Sequence, residues 1–185
     1  MFADVGFFYS GVAINMNLKD HIRDIPDFPE VGILFRDITP LLGEPRAFTE
    51  TVDRLMSHYT TDQYDCVVGI ESRGFLLAAP IAYQCQKPLV LIRKQGKLPY
   101  ETHSIEYSLE YGVNVMEIQL GDIPEGSKVL ILDDLLATGG TLYAAAKLIE
   151  KSGSTVAGIG LVIELNGLGG REKLQGYDVF SLLEY

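Results

Sequence analysis

The sequence predicts an α/β domain with a mostly parallel central sheet flanked by helices. Apolar runs of strand length alternate with segments of helical period. One of those runs leads into two carboxylates and a glycine turn that opens a helix. With 185 residues and 47% hydrophobic content, the chain has apolar stock for one well-buried core and little surplus for a second.

The elements follow in chain order. Residues 1–14 are apolar but include Asp4, lack a basic leading region and fall short of the ~20 residues that span a bilayer. They read as neither signal nor anchor. Met16, followed by Asn17, Leu18 and Lys19, looks like a second start, so residues 1–15 are expected to be an extension outside a single domain over 16–185. Phe48, Val52, Leu55, Met56 and Tyr59 recur at helical spacing, and Cys66 to Ile70 reads as a short buried strand broken by Ser72 and Gly74. Gly74 to Gln84 reads as a helix in which Pro80 should kink the first half or mark a late start. Lys87-Pro88 ends it, and Leu89 to Ile92 is the next strand.

Residues 94–112 are rich in charges and turn formers and show no apolar period, which predicts a long loop, functional or disordered. Val113 to Leu120 returns to strand character, Pro124 to Gly126 turns, and Val129 to Leu132 is an uninterrupted aliphatic strand. Thr141 to Lys151 is helical, with Leu142, Ala145, Ala146 and Ile149 on one face. Val156 to Leu165 and Val179 to Leu182 complete the apolar runs.

The net charge of −10 argues against broad binding to nucleic acid or an anionic membrane, both of which need a wide basic surface. A phosphate ligand would have to meet a local site. Cys66 and Cys85 lack metal-type spacing and read as reduced thiols of a cytoplasmic protein. His21, His58 and His103 have no partner at ligand spacing, so no protein-held metal is expected.

The richest segment is VLILDDLLATGGT, Val129 to Thr141. In open α/β sheets ligands bind beyond the carboxyl ends of strands, and a glycine turn into a helix presents free N–H groups to an anion. A phosphate fits Ala137, Thr138, Gly139, Gly140 and Thr141. Asp133 and Asp134 would repel it unless their oxygens meet donors, and sugar hydroxyls are such donors. The combination points to a ribose phosphate. Gly69 to Gly74 has Walker-type glycine spacing, but Phe75 stands where the lysine belongs, and Gly158-Ile159-Gly160 fails the dinucleotide pattern at Ile163.

DDLLATGGT resembles the phosphoribosyl-pyrophosphate motif of type I phosphoribosyltransferases. PDFP (26–29) with ILFRDITPLL (33–42) resembles the base-binding stretch of the adenine phosphoribosyltransferases. ESRGF (71–75) is similar to their diphosphate loop, and RKQGKLP (93–99) with YSLEYG (107–112) to their mobile catalytic loop.

The resemblance implies that fold, with a small N-terminal base-binding hood and a non-proline cis peptide between Glu71 and Ser72. It implies ribose contacts from Asp133 and Asp134, diphosphate contacts from Ser72, Arg73, Arg93, Lys97 and Tyr111, and adenine contacts from Leu34, Phe35, Arg36 and Leu165. Glu110 would act on the base. Magnesium would arrive on the diphosphate. The implied reaction is adenine plus phosphoribosyl pyrophosphate to AMP and diphosphate, in purine salvage, by a homodimer. The alternatives are a transferase for hypoxanthine, xanthine or a pyrimidine, and a non-catalytic nucleotide sensor of the same fold. A sensor would usually carry a basic DNA-binding segment, for which this chain has neither length nor charge, and would not need Lys97 or Glu110.

Overall fold

The computed structural model describes residues 16–108 and 113–185. They fall into two compact units, one ending at Ala47 and the other running from Phe48 to Tyr185.

In the first unit a 3-10 turn, Leu18–His21, starts at Asn17, whose side chain accepts from the Lys19 N–H at 3.3 Å. Strands β1 (Arg23–Pro26) and β2 (Leu34–Asp37) pair antiparallel with Ile25 opposite Phe35. Their connection turns through the cis Phe28–Pro29 peptide, and Asp27 accepts from the Gly32 N–H at 2.7 Å. Phe28 meets Phe35 edge to face, with centroids 5.2 Å apart. Helix α1 (Thr39–Gly43) follows, its start tied down by Asp37, which accepts from the Thr39 N–H and hydroxyl at 2.9 and 2.7 Å.

Helix α2 (Pro45–His58) leads into the second unit, where Val52, Leu55 and Tyr59 of the expected helical face are buried. There β3 (Cys66–Ile70), α3 (Gly74–Cys85), β4 (Leu89–Lys94), β5 (Thr102–Ser108), β6 (Val113–Gln119), β7 (Lys128–Leu136), α4 (Gly140–Lys151), β8 (Thr155–Glu164), α5 (Gly170–Lys173) and β9 (Val179–Glu184) follow in order. The sheet order is β5-β6-β4-β3-β7-β8-β9, parallel from β4 to β9, with β6 and β5 added antiparallel. The mostly parallel sheet of the sequence reading is therefore present. Its central strands are continuous apolar runs because helices cover both faces of such a sheet. Leu142, Ala145, Ala146 and Ile149 of α4 are buried, as their spacing predicts.

Helix α3 stands where it was expected, with one alternative for Pro80 removed, and two other local expectations need correction. Helix α3 begins at Gly74, so Pro80 does not delay it. Strand β7 does not end at the carboxylates: it pairs with β8 as far as Leu136 opposite Glu164, which fixes the backbone of both aspartates. The segment 94–112 is not one long loop, because residues 102–108 form an edge strand. Ile105 and Tyr107 pack on the core while Ser104 and Glu106 face solvent, a period-two pattern with too few apolar positions to stand out. The other part of the expected mobile loop, residues 109–112, lies outside the described residues, as do residues 1–15.

Candidate active site

Strand β3 has β4 on one side and β7 on the other, so the chain's winding reverses beside β3. A crevice at the carboxyl ends of such strands is the usual ligand site of an open α/β sheet. Here those ends carry the ESRG turn after β3 and the aspartate pair on β7. Gly74 brings them together. A Cβ there would lie 2.5 Å from the Leu132 carbonyl oxygen and 3.1 Å from an Asp133 carboxylate oxygen, so only glycine lets α3 start this close to β7.

The result is a cavity of about 360 Å³ lined by Glu71, Ser72, Arg73 and Lys94 on one side. Asp133, Asp134, Leu135 and residues 137–142 line the other. The Glu71–Ser72 peptide is cis, as the resemblance implied.

Charges in this crevice are arranged in pairs. Asp133 and Asp134 are both buried, and the Asp134 N–H donates to the Asp133 carboxylate at 2.9 Å. Burial, followed by the neighbouring Asp134 charge, holds the Asp133 carboxyl well above the usual carboxylate range. Burial also raises Asp134, although Arg73 opposes it with a guanidinium nitrogen 2.9 Å from a carboxylate oxygen.

Burial pushes Glu71 up too, but hydrogen bonds from Arg93 and from the Lys94 N–H outweigh it and leave that carboxyl below its ordinary value. Arg93 donates to both Glu71 oxygens, at 3.3 and 3.1 Å, and to the Lys97 carbonyl at 3.1 Å. Glu117 of β6 accepts from the Gly96 N–H at 2.9 Å, so the turn after β4 is anchored from two sides.

The raised Asp133 has a measurable consequence. Its folded-state pKa lies above its unfolded value, so the native protein binds this proton more readily than the unfolded chain does. Ionised Asp133 therefore lowers stability at every pH above the folded pKa, and the loss disappears as pH falls through that pKa toward the ordinary value of about 4. Asp133→Asn should melt a few degrees higher than the parent at about pH 8, with the gap closing as the buffer is acidified, while its ribose 5-phosphate binding falls. A lower melting temperature at high pH would contradict this account.

The turn that follows β7 is built to take an anion. Gly139 has φ +77°, a left-handed conformation, and stands at the start of α4, whose first N–H groups have no partners within the helix. With the positive end of the helix dipole behind them, these groups favour a phosphate.

Ser72, Arg73, Asp133, Asp134, Ala137, Thr138, Gly139, Gly140 and Thr141 thus line one cavity. Arg93 and Lys97 sit in and after β4, beside that wall rather than in it. Leu34, Phe35 and Arg36 lie on β2 in the first unit, and Leu165 immediately follows β8. Glu110 and Tyr111 fall outside the described residues.

The sequence reading missed Glu71 and Lys94, although both stand inside segments it had singled out. Their signal was an acid at the head of the Ser-Arg turn and a lysine next to Arg93. Among the described residues no group of three or more His, Cys, Asp or Glu is placed to hold a metal, and no helix is long and apolar enough to cross a membrane. Cys66 and Cys85 are free thiols, and burial pushes Cys66 up to about 11.

Residues 42–184 match the model of the phosphoribosyl transferase domain. An adenine phosphoribosyltransferase of Chloroflexus aurantiacus is 54% identical over 169 residues, covering 91% of this chain and 98% of its own. The crystal structure of the adenine phosphoribosyltransferase of Thermoanaerobacter pseudethanolicus superposes with a TM-score of 0.88 at 48% identity, over 91% of this chain and 98% of its own. That of the Saccharomyces cerevisiae enzyme, complexed with D-2,5-dideoxy-2,5-imino-altritol 1,6-bisphosphate and adenine, gives 0.84 at 39% identity, over 90% and 96%. A crevice lined by a glycine turn at a helix start and two buried aspartates, on a sheet of this order, is thus joined to likeness along nearly the whole of its relatives. The chain belongs to the phosphoribosyltransferase family, among the adenine phosphoribosyltransferases, which move the phosphoribosyl group of phosphoribosyl pyrophosphate onto adenine in purine salvage and release diphosphate with AMP.

Proposed function

We propose that the crevice between β3 and β7 binds phosphoribosyl pyrophosphate along its length and holds the anomeric carbon in line between adenine and the departing diphosphate. The observation that carries this reading is that one cavity gathers an anion turn at residues 137–141, two buried aspartates and the donors of Ser72, Arg73 and Lys94. That set matches the needs of a phosphate, ribose hydroxyls and a diphosphate.

Each group has a separate task. The backbone of Ala137 to Thr141 and the Thr138 and Thr141 hydroxyls hold the 5′-phosphate. Asp133 and Asp134 accept from the 2′- and 3′-hydroxyls, which replace water as their donors. Breaking the bond at the anomeric carbon builds positive charge on the ribose and negative charge on the leaving group. Ser72, Arg73, Arg93, Lys97 and Tyr111, together with Lys94, neutralise the latter. Arg73 has first to leave Asp134, so the incoming diphosphate and the hydroxyls exchange partners with an ion pair already in place. Leu34, Phe35, Arg36 and Leu165 keep the adenine contacts that the resemblance gives them, a role in keeping with the adenine bound by the yeast relative.

Magnesium suits this donor set only as a passenger. It prefers oxygen and keeps several waters while binding substrate phosphates. Of the three carboxylates in the cavity, Glu71 is paired with Arg93 and Asp134 with Arg73, which leaves too few oxygens for an ion held by the protein alone. Asp133 and Asp134 are the residues that would face an ion carried in on the diphosphate, and it would supply charge neutralisation there. A homodimer is part of the same proposal. The exposed Leu76 and Tyr83, one face of α3, supply apolar surface for a second copy.

The test is diphosphate release, coupled to a colour reaction, with adenine, hypoxanthine, xanthine and uracil as acceptors. Turnover with adenine should exceed that with the others by at least about 100-fold, because a site built to bond one set of ring edges leaves buried groups unpaired on the rest. Comparable turnover with hypoxanthine would replace the adenine reading by the broader purine one.

A further inference from the structure

The anion turn does not stand alone. A Cβ on Gly170, the first residue of α5, would lie 2.1 Å from the Ala137 carbonyl oxygen and 2.7 Å from the Leu136 side chain. Conversely, a Cβ on Gly139 would lie 2.8 Å from the Gly170 carbonyl oxygen. Turn and helix start therefore approach backbone to backbone, with the Leu136 side chain packed against the same glycine. A shift of α5 would press directly on the backbone of the turn.

What fixes α5 is the residue after Gly170. Arg171 donates through Nε to a Glu164 oxygen at 2.8 Å and through Nη2 to the other, and its Nη1 reaches the Val179 carbonyl at 2.6 Å. Ser181 donates its hydroxyl to Glu164 at 2.8 Å. The Arg171 hydrogen bonds hold the Glu164 carboxyl below its ordinary value although it is buried. Glu164 itself sits opposite Leu136 in the β7–β8 ladder, at the last residue before the turn. The fork thus ties α5 to the last residue of β8 and to the first residue of β9, so the helix start that backs the anion turn is referred to β8, the same strand that pairs with β7 up to the turn.

We propose that Glu164 and Arg171, supported by Ser181, are positioning residues for the 5′-phosphate turn, acting through the Gly170 backbone rather than by touching substrate. This rests on the reading of residues 137–141 as the phosphate site. A bidentate arginine fork is a geometric device, because its planar donors fix direction as well as charge. Losing it should let α5 drift and misaim the turn, which weakens binding of the 5′-phosphate and leaves the diphosphate end alone.

The experiment compares the parent enzyme with Arg171→Met, Arg171→Lys and Ser181→Ala. Melting temperature, ribose 5-phosphate and diphosphate affinity by calorimetry, and kcat and KM for each substrate are measured. Arg171→Met should bind ribose 5-phosphate about ten-fold more weakly and raise KM for phosphoribosyl pyrophosphate by a similar factor, with diphosphate affinity and kcat within about three-fold. Arg171→Lys should recover part of the loss, and Ser181→Ala should show a smaller loss of the same pattern. If Arg171→Met does not fold, the last two variants give the same readout. Unchanged ribose 5-phosphate affinity in the folded variants, or an equal loss of diphosphate affinity, overturns the proposal. Gly139→Val separates this from the parent reading: if it too leaves ribose 5-phosphate binding unchanged, the phosphate site lies elsewhere, and if it alone abolishes binding, only the brace is wrong.

Discussion

Gly139→Val is expected to lower AMP affinity by more than about 100-fold, equivalent to roughly 2.7 kcal/mol, while leaving the fold in place. Two independent costs meet at this position. Gly139 is left-handed at φ +77°, where a β-branched side chain is strained by about 1–2 kcal/mol or more. The new Cβ would also press on the Gly170 carbonyl oxygen, a backbone atom that cannot rotate aside. The least costly relief is for the turn to open, which takes its N–H groups off the phosphate. The sheet has no such stake in the turn, because β7 is already paired through Leu136. Gly121 supplies the control: it has φ +82° with nothing within 4 Å of its would-be Cβ, so Gly121→Val carries the strain without the clash and without the site. AMP titration calorimetry on the two variants, beside circular dichroism, decides the matter. Parent-like affinity in Gly139→Val would remove the phosphate from this turn.

How much of this was legible in the sequence depended on whether cause and effect lay close together along the chain. Strands β3 and β7 are buried on both faces along nearly their whole length, so they announce themselves as unbroken runs such as Cys66 to Ile70. Strand β5 is an edge strand with only Ile105 and Tyr107 turned to the core, and its charges disguised it as loop. The last residues of β7 were hidden for a different reason: adjacent carboxylates look like a strand end unless a neighbour, here β8, is known to continue the ladder.

The glycine turn that opens α4 was legible because its parts are consecutive, Ala137 to Thr141. Its supports were not. The contact of Arg73 with Asp134, the grip of Glu71 on Arg93 and the backing of the turn by Gly170 all join distant segments, and periodicity carries no record of such pairings. Gly74 shows the limit most clearly. It reads as a strand breaker, and only the packed structure reveals that its missing Cβ makes room for Leu132 and Asp133.

Glu110→Gln is expected to cut turnover by at least about 100-fold with little change in binding of phosphoribosyl pyrophosphate. Adenine must shed a proton from its imidazole ring as the new bond to ribose forms, and a group able to take or orient that proton has to stand beside the base. The described part of the cavity offers no free candidate. Asp133 and Asp134 are committed to each other and to Arg73, and Glu71 is held by Arg93 and the Lys94 N–H. All three line the crevice between β3 and β7. Glu110, between the paired strands β5 and β6, is an acid of the remaining segment that the family resemblance places over the site. Glutamine keeps the size and hydrogen-bonding reach of the side chain but cannot accept the proton, so the substitution isolates that one step. The measurement must be made in a single turnover, with enzyme in excess and AMP formation followed directly, so that slow product release cannot mask the chemistry. Near-parental single-turnover rates in Glu110→Gln would mean that the proton leaves to water or to another group, and the carboxylate would lose its role.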